Sequence, residues 1–166
     1  NDLFQKGKVR RRLRARTIHA AACREYKNAL LCVPQMDAAI EAYTEAICFE
    51  PSEGVYYTNR AMCYRKKANW EAVMADCHTA LALDDTSIKG HYLLGVALDV
   101  EQQFDEAIRH LFRALELCKD RTISYKEDIQ RAMLSARRRQ WECSAGASET
   151  QVSATEGLLH RLLRRH

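Results

Sequence analysis

The sequence repeats itself at an interval of 34 residues. With units starting at Ala20, Gly54 and Ile88, position 8 is Lys27, Ala61 and Gly95, and position 27 is Ala46, Ala80 and Ala114. Position 11 is Leu30, Tyr64 and Leu98, position 17 is Met36, Trp70 and Phe104, and position 24 is Tyr43, Cys77 and Leu111. In the central unit Tyr57, Ala61 and Tyr64 share one helical face, and Trp70, Val73, Met74, Cys77, Ala80 and Leu81 share another. Their three- and four-residue spacing is that of an amphipathic α-helix. A helix pair of this length cannot bury its apolar face alone, so the period implies a stack of helix–turn–helix units. Small residues at positions 8 and 27 let neighbouring helices approach, and the bulky positions between them fill the gap. The first unit departs from the pattern, because Lys27 stands where a small side chain is wanted.

Charge divides the 166-residue chain into three parts. Residues 1–36 carry nine Lys/Arg against two acids, residues 37–135 eleven against seventeen, and residues 136–166 six against three. The repeat body is therefore acidic and both ends are basic. An acidic body does not track a phosphate backbone, which argues against nucleic acid as the partner of the repeats. The run Arg10–Arg16 has the composition of a nuclear-import or nucleic-acid patch, but also of a solvated basic segment. No aromatic residue interleaves it for base stacking.

Seven cysteines, at 23, 32, 48, 63, 77, 118 and 143, form no C-x-x-C pair. They read as structural thiols of a reducing compartment, with neither a zinc site nor a disulfide framework. No apolar run reaches the ~20 residues of a membrane span, and no signal peptide is visible. A cytoplasmic and also nuclear location is expected. The chain opens at Asn1 rather than Met and reads as a piece of a longer protein.

The expected organisation is all-α. Residues 1–19 form a basic, poorly ordered arm; residues 20–121 hold three repeats; residues 122–142 form a capping helix. Residues 143–156, rich in Ser, Ala, Gly and Thr, form a linker, and 157–166 a short amphipathic helix suited to dimerisation. Within the first repeat, Ala20–Leu31 serves as a substitute first helix, ended by Pro34. Met133 and Leu134 are the expected capping contacts.

No catalytic constellation is present: no Ser/His/Asp set, no Gly-rich phosphate loop, no H-E-x-x-H. No cofactor or metal is expected, and His91 reads as a packed histidine. The informative surface is the inner face of the stack, where positions 2, 5, 6 and 9 of each first helix lie together. These are Ala21, Arg24, Glu25 and Asn28, then Val55, Thr58, Asn59 and Met62, then Lys89, Tyr92, Leu93 and Val96. An ammonium and an amide on this face suit a carboxylate. The same two residues are also consistent with a solvated Lys89 and an Asn59 bonded to its neighbours.

The repeat length and the small/large pattern resemble the tetratricopeptide repeat, and the inner face is similar to the carboxylate clamp of co-chaperone tetratricopeptide domains. Asn59 and Lys89 match that clamp at position 6 of the second repeat and position 2 of the third. The family has Lys and Asn at positions 5 and 9 of the first repeat; here Arg24 and Asn28 fall there, with Asn1 as a competing asparagine. The segments VYYTNRAMCYRKK, SIKGHYLLG, FDEAI and RRRQW further resemble the Hsp70-interacting U-box ubiquitin ligases. The likeness is good over 37–142 and poor over 1–36.

The resemblance implies a tetratricopeptide superhelix of three repeats plus a capping helix. Its partners would be the acidic C-terminal tails of Hsp70 and Hsp90, held by Arg24, Asn28, Asn59 and Lys89. Tyr92, Leu93 and Tyr125 would wall the groove, and Asp128 would accept from the peptide backbone. A ubiquitin-conjugating enzyme would be engaged only through a U-box, which this sequence lacks. The alternatives are a clamp domain of another Hsp70/Hsp90 co-chaperone and, from a different class, a basic-armed nuclear or nucleic-acid-associated protein.

Overall fold

The computed structural model describes the backbone of residues 2–28, 34–118 and 126–163, and the side chains of 5–23, 36–118 and 126–145. The described residues form seven helices: α1 (Asp2–Asn28), α2 (Pro34–Phe49), α3 (Gly54–Lys66), α4 (Trp70–Leu83), α5 (Ile88–Val100), α6 (Phe104–Leu117) and α7 (Lys126–Leu163). Each packs against its neighbours in the chain, and α3 also touches α5. The first helices α1, α3 and α5 thereby line one side of the stack and the second helices the other.

Local chemistry fixes the turns. Asn69 accepts from Ala72 N–H at 3.2 Å and Ser87 from Gly90 N–H at 3.3 Å, capping α4 and α5. At the ends of α3 and α5 the chain enters the left-handed region at Ala68 (φ 56°) and Gln102 (φ 63°), one repeat apart. Asn69 N–H bonds back to Tyr64 C=O at 3.0 Å and Gln103 N–H to Leu98 C=O at 2.9 Å, which closes each helix with a Schellman turn. Both turns place a side chain where glycine fits best.

The core is a column of small and large residues. Ala46, Ala80 and Ala114 are fully buried, as are Ala61, Val73, Cys77, Leu94 and Leu111. At Gly95 the approach is closest: a Cβ there would lie 2.6 Å from Leu111 Cγ and 3.1 Å from Ala107 O. One buried ion pair spans the helices. Arg60 donates to Asp76 at 2.9 and 2.6 Å and to Thr44 Oγ1 at 2.9 Å, joining α3 to α4 and α2. In α3 it is Tyr56, not Tyr57, that is buried.

The first helix departs from expectation. The arm expected over 1–19 and the substitute helix expected from Ala20 belong to one helix from Asp2 to Asn28. No proline interrupts this stretch, and its Ala, Leu, Arg and Lys residues favour helix. Pro34 opens α2 rather than closing the preceding helix; at a first helical position its missing N–H costs nothing. Residues 5–14 are exposed, whereas Ala15 and Ala22 are fully buried against α2 and α3. The small residue opposite Ala61 is therefore Ala22, thirty-nine positions earlier instead of thirty-four. The extra five residues lie between Ala22 and Met36: one at the end of α1, two in the turn and two at the start of α2. Lys27 is not the packing position, and its side chain lies outside the described residues.

At the other end, the expected linker 143–156 and residues 157–163 of the expected separate helix are continuous with the capping helix in α7; residues 164–166 lie outside the described residues. Ser and Thr cost a helix only a few tenths of a kcal/mol each, and this stretch has no proline. Ile129 and Ala136 are fully buried in the main core, and Met133 packs beside them. Leu134, the other expected contact, is 63% exposed. Arg139 donates to Asp99 at 2.8 Å and Gln140 to Asp105 at 2.7 Å, fixing α7 on α5 and α6.

Two substitutions test this packing. Ala68→Gly relieves a left-handed side chain and should raise stability by about 1 kcal/mol. Gly95→Ala inserts a methyl against Leu111 and a backbone carbonyl, and should lower it by about 1–3 kcal/mol. Thermal unfolding followed by circular dichroism checks both; an unchanged midpoint in Gly95→Ala would mean that α5 and α6 are farther apart.

Candidate functional site

Three first helices meet at one amide. Lys89 in α5 donates from its ammonium to Asn59 Oδ1 in α3, and Asn59 Nδ2 lies 2.8 Å from His19 Nε2 in α1. An ammonium can only donate, so the carbonyl of Asn59 faces Lys89 and its NH₂ faces His19. His19 Nε2 must then carry a lone pair, which makes the imidazole neutral with its proton on Nδ1. The same nitrogen is 3.4 Å from Cys23 Sγ, and the Tyr43 hydroxyl donates to that sulfur at 3.4 Å. The rings of Tyr56 and Tyr43 flank His19 with centroids 5.0 and 5.9 Å away.

The electrostatics are one-sided. Lys89 is half-buried, and burial holds its ammonium below the ordinary value. The guanidinium of Arg65 adds to this. Neither Lys89 nor Arg65 has a carboxylate partner among the described residues, although Arg12, Arg60, Lys67, Arg109, Arg113, Arg131 and Arg139 all do. Arg65 instead donates to the Tyr92 hydroxyl at 3.3 Å and lies over its ring. Burial pushes the Cys63 and Cys77 thiols up to about 12, so both stay protonated and apolar. Among the described residues the groove thus holds two cations beside amide and imidazole edges, with no carboxylate paired to either cation; Glu53 acts on His19 only through its charge.

Of the residues singled out from sequence, Asn59 and Lys89 touch directly and Tyr92 lies beside Arg65. Leu93 is fully buried in the main core and cannot wall the groove. It follows Tyr92 on the helix, so the two point apart by about 100°. Asp128 pairs with Arg131 on its own helix, and no described contact links it to Lys89 or Asn59. The backbone of Arg24 and Asn28 belongs to α1, but their side chains lie outside the described residues, as do Asn1 and Tyr125.

The residues that α1 does contribute, His19 and Cys23, were not read from the sequence. With Ala22 at position 8, His19 falls at position 5 and Cys23 at position 9. Those are the two slots in which the clamp resemblance expects Lys and Asn. The signal was the spacing of Ala15, Ile18 and Ala22, which marks the packed face of α1 independently of any repeat count.

Solved structures share this arrangement of helices. The first tetratricopeptide domain of Spaghetti (RPAP3), bound to the HSP90 peptide SRMEEVD, superposes with a TM-score of 0.62 at 24% identity, covering 73% of this chain and 91% of that one. A tetratricopeptide domain of yeast Sti1 in complex with an Hsp70 peptide gives 0.65 at 22% identity, covering 74% and 98%. The chain has the tetratricopeptide-repeat fold. Over 107 residues, 63% of its length, the domain is 41% identical to the E3 ubiquitin-protein ligase CHIP of Arabidopsis thaliana, and it spans 38% of that ligase. No protein-family model matches it.

The buried imidazoles give the domain a pH-dependent stability. Burial lowers His19 from 6.5, partly offset by Glu53 and reinforced by Lys89; burial and the neighbouring His91 and His78 lower His110. The unfolded chain takes up these protons near pH 6.5, the folded chain only at lower pH. Stability present above that pH is therefore lost as pH falls from 6.5 toward the depressed values. The unfolding midpoint should fall between about pH 7.5 and 5.5, and His19→Gln and His110→Gln should each flatten part of that slope. A slope unchanged in both variants would place the responsible groups elsewhere.

Proposed function

We propose that this domain is the peptide-binding adaptor of a CHIP-like co-chaperone and that it holds the acidic C-terminal tails of Hsp70 and Hsp90. In this reading Lys89 and Asn59 bind the terminal carboxylate of the tail. One observation carries the reading: Lys89 is partly desolvated, oriented by Asn59 and left without an acidic partner inside an otherwise acidic repeat body. A partly buried, uncompensated cation is costly unless a ligand supplies the anion. Lys89 keeps donors to spare after its bond to Asn59, and Asn59 keeps one N–H. Tyr92 is buried in the main core beside Leu93 and turns its hydroxyl to Arg65, so it holds that guanidinium at the groove.

Further support comes from the relatives. Two structural neighbours hold chaperone peptides, one of them ending in Glu-Glu-Val-Asp. The sequence relative is a ubiquitin ligase. In the longer protein, chaperone capture would then be coupled to ubiquitin transfer by a module outside this chain.

Titration calorimetry with SRMEEVD, free or amidated at its C-terminus, tests the reading. The free peptide should bind and the amidated one should bind far more weakly. Lys89→Ala should cost about 1.5–3 kcal/mol, the range for a hydrogen bond to a charged group, without lowering the unfolding temperature. Equal affinity for the two peptides, or an unaffected Lys89→Ala, would refute carboxylate recognition here.

A further inference from the structure

On the basis of the peptide-binding reading above, we propose that His19 is the α1 contact for the ligand's terminal carboxylate and makes that contact only when protonated. The groove then takes acidic tails more tightly under mildly acidic conditions.

The geometry leads there in three steps. First, position: His19 reaches Asn59 at 2.8 Å, and Asn59 in turn holds Lys89, so the imidazole edge and the ammonium flank the same amide. Any carboxylate that bridges Lys89 and the free Asn59 N–H lies next to His19 Nε2. Second, polarity: in the free groove that nitrogen presents a lone pair, because Asn59 donates to it. A lone pair repels a carboxylate oxygen; an N–H accepts one. Third, consequence: protonation sets Nε2–H against the Asn59 NH₂, donor against donor. Asn59 cannot relieve this by flipping, since its NH₂ would then face the Lys89 ammonium. The protonated ring must turn its N–H to another acceptor, and a bound carboxylate is the acceptor at hand.

The groups around His19 are Cys23 on its own helix, Tyr43 from α2, Glu53, Tyr56 and Asn59 at or in α3, and Lys89 from α5. Imidazole is the side chain among these whose ordinary range spans mildly acidic to neutral pH. Burial and Lys89 keep it neutral in the empty groove, Glu53 acting in the opposite sense. An anion arriving within hydrogen-bond reach favours the imidazolium by about one unit or more, so protons are taken up on binding.

The test uses the full chain and the peptide SRMEEVD. Binding should tighten from pH 7.5 to pH 5.5, by up to about tenfold for a one-unit shift. His19→Gln keeps an acceptor for Asn59 but cannot charge; it should bind at both pH values as the parent does at the higher one. His19→Lys, always charged, should bind tightly at both. The imidazole of His19, followed by NMR, should titrate at higher pH with peptide than without. Lys89-dependent binding that is the same at both pH values, or a pH dependence retained in His19→Gln, would overturn the role of His19 and leave the peptide-binding reading intact. Absent binding, or binding indifferent to Lys89→Ala, would overturn that reading and this inference with it.

Discussion

Close approach of helices at Ala22, Ala61 and Gly95 is the constraint from which the rest of the structure follows. Ala22 and Ala61 are fully buried between helices, and at Gly95 even a methyl would collide with Leu111 and the Ala107 carbonyl. Such crossings set interaxial distance, and with it the small rotation from one unit to the next that curves the stack. The groove is a product of that curvature. Asn59 lies two residues before Ala61 and Lys89 six before Gly95, so the residues that meet in the groove are placed by the crossings directly behind them. A substitution that pushed α5 from α6 would therefore move Lys89 relative to Asn59, although it touches neither.

The second and third units were legible because packing and spacing agree in them. Ala61, Val73, Cys77, Ala80, Leu111 and Ala114 are buried at the places the period assigns. The first unit was misread at one step. Counting thirty-four residues back from Gly54 assumes a constant spacing, but Ala22 lies fourteen residues before Met36 where Ala61 lies nine before Trp70: α1 runs one residue farther, the turn is two residues longer, and α2 begins two residues earlier. The count stays right for Met36, Tyr43 and Ala46, which follow the turn, and fails for everything before it. A period registers insertions only outside itself; the helical face of Ala15, Ile18 and Ala22 is local and survives them. Leu93 failed for a different reason. Position 6 in the second repeat is Asn59, which faces the groove, but in the third repeat the same position carries a leucine that packs inward with Leu94 and Leu98. The serine- and alanine-rich stretch after Cys143 failed because low complexity does not exclude helix when proline is absent.

Charge is distributed by the same logic. The buried Arg60–Asp76 pair is matched in number of charges and doubly hydrogen-bonded, which is the condition under which burial of ions is tolerated. It joins three helices of the stack and leaves no net charge. Lys89 differs in being partly desolvated with no acid paired to it among the described residues; it and Arg65 have thiols, a phenol and an amide as neighbours. Thiols held at about 12 do not ionise near neutrality, so they cannot serve as counter-ions. The groove keeps its positive potential because its lining cannot cancel it.

The α1 contribution changes what that potential depends on. A lysine at position 5 and an asparagine at position 9 would give a fixed cation and a fixed donor. His19 and Cys23 give an imidazole whose charge follows pH and a sulfur that is a weak acceptor and a weak donor. Both are smaller than the residues they stand for, and Tyr43 and Tyr56 close in around them. With neutral His19 the anion-binding donors come from α3 and α5 alone, on one side of the groove. In the proposed complex a charged His19 would add a donor from α1, and a bound carboxylate would be held from both sides. The register of α1 is offset by five residues between Ala22 and Met36, and this substitution goes with that offset. The helix keeps its alanine face against α2 and α3 while presenting a different pair of residues to the groove, so packing and ligand chemistry change independently.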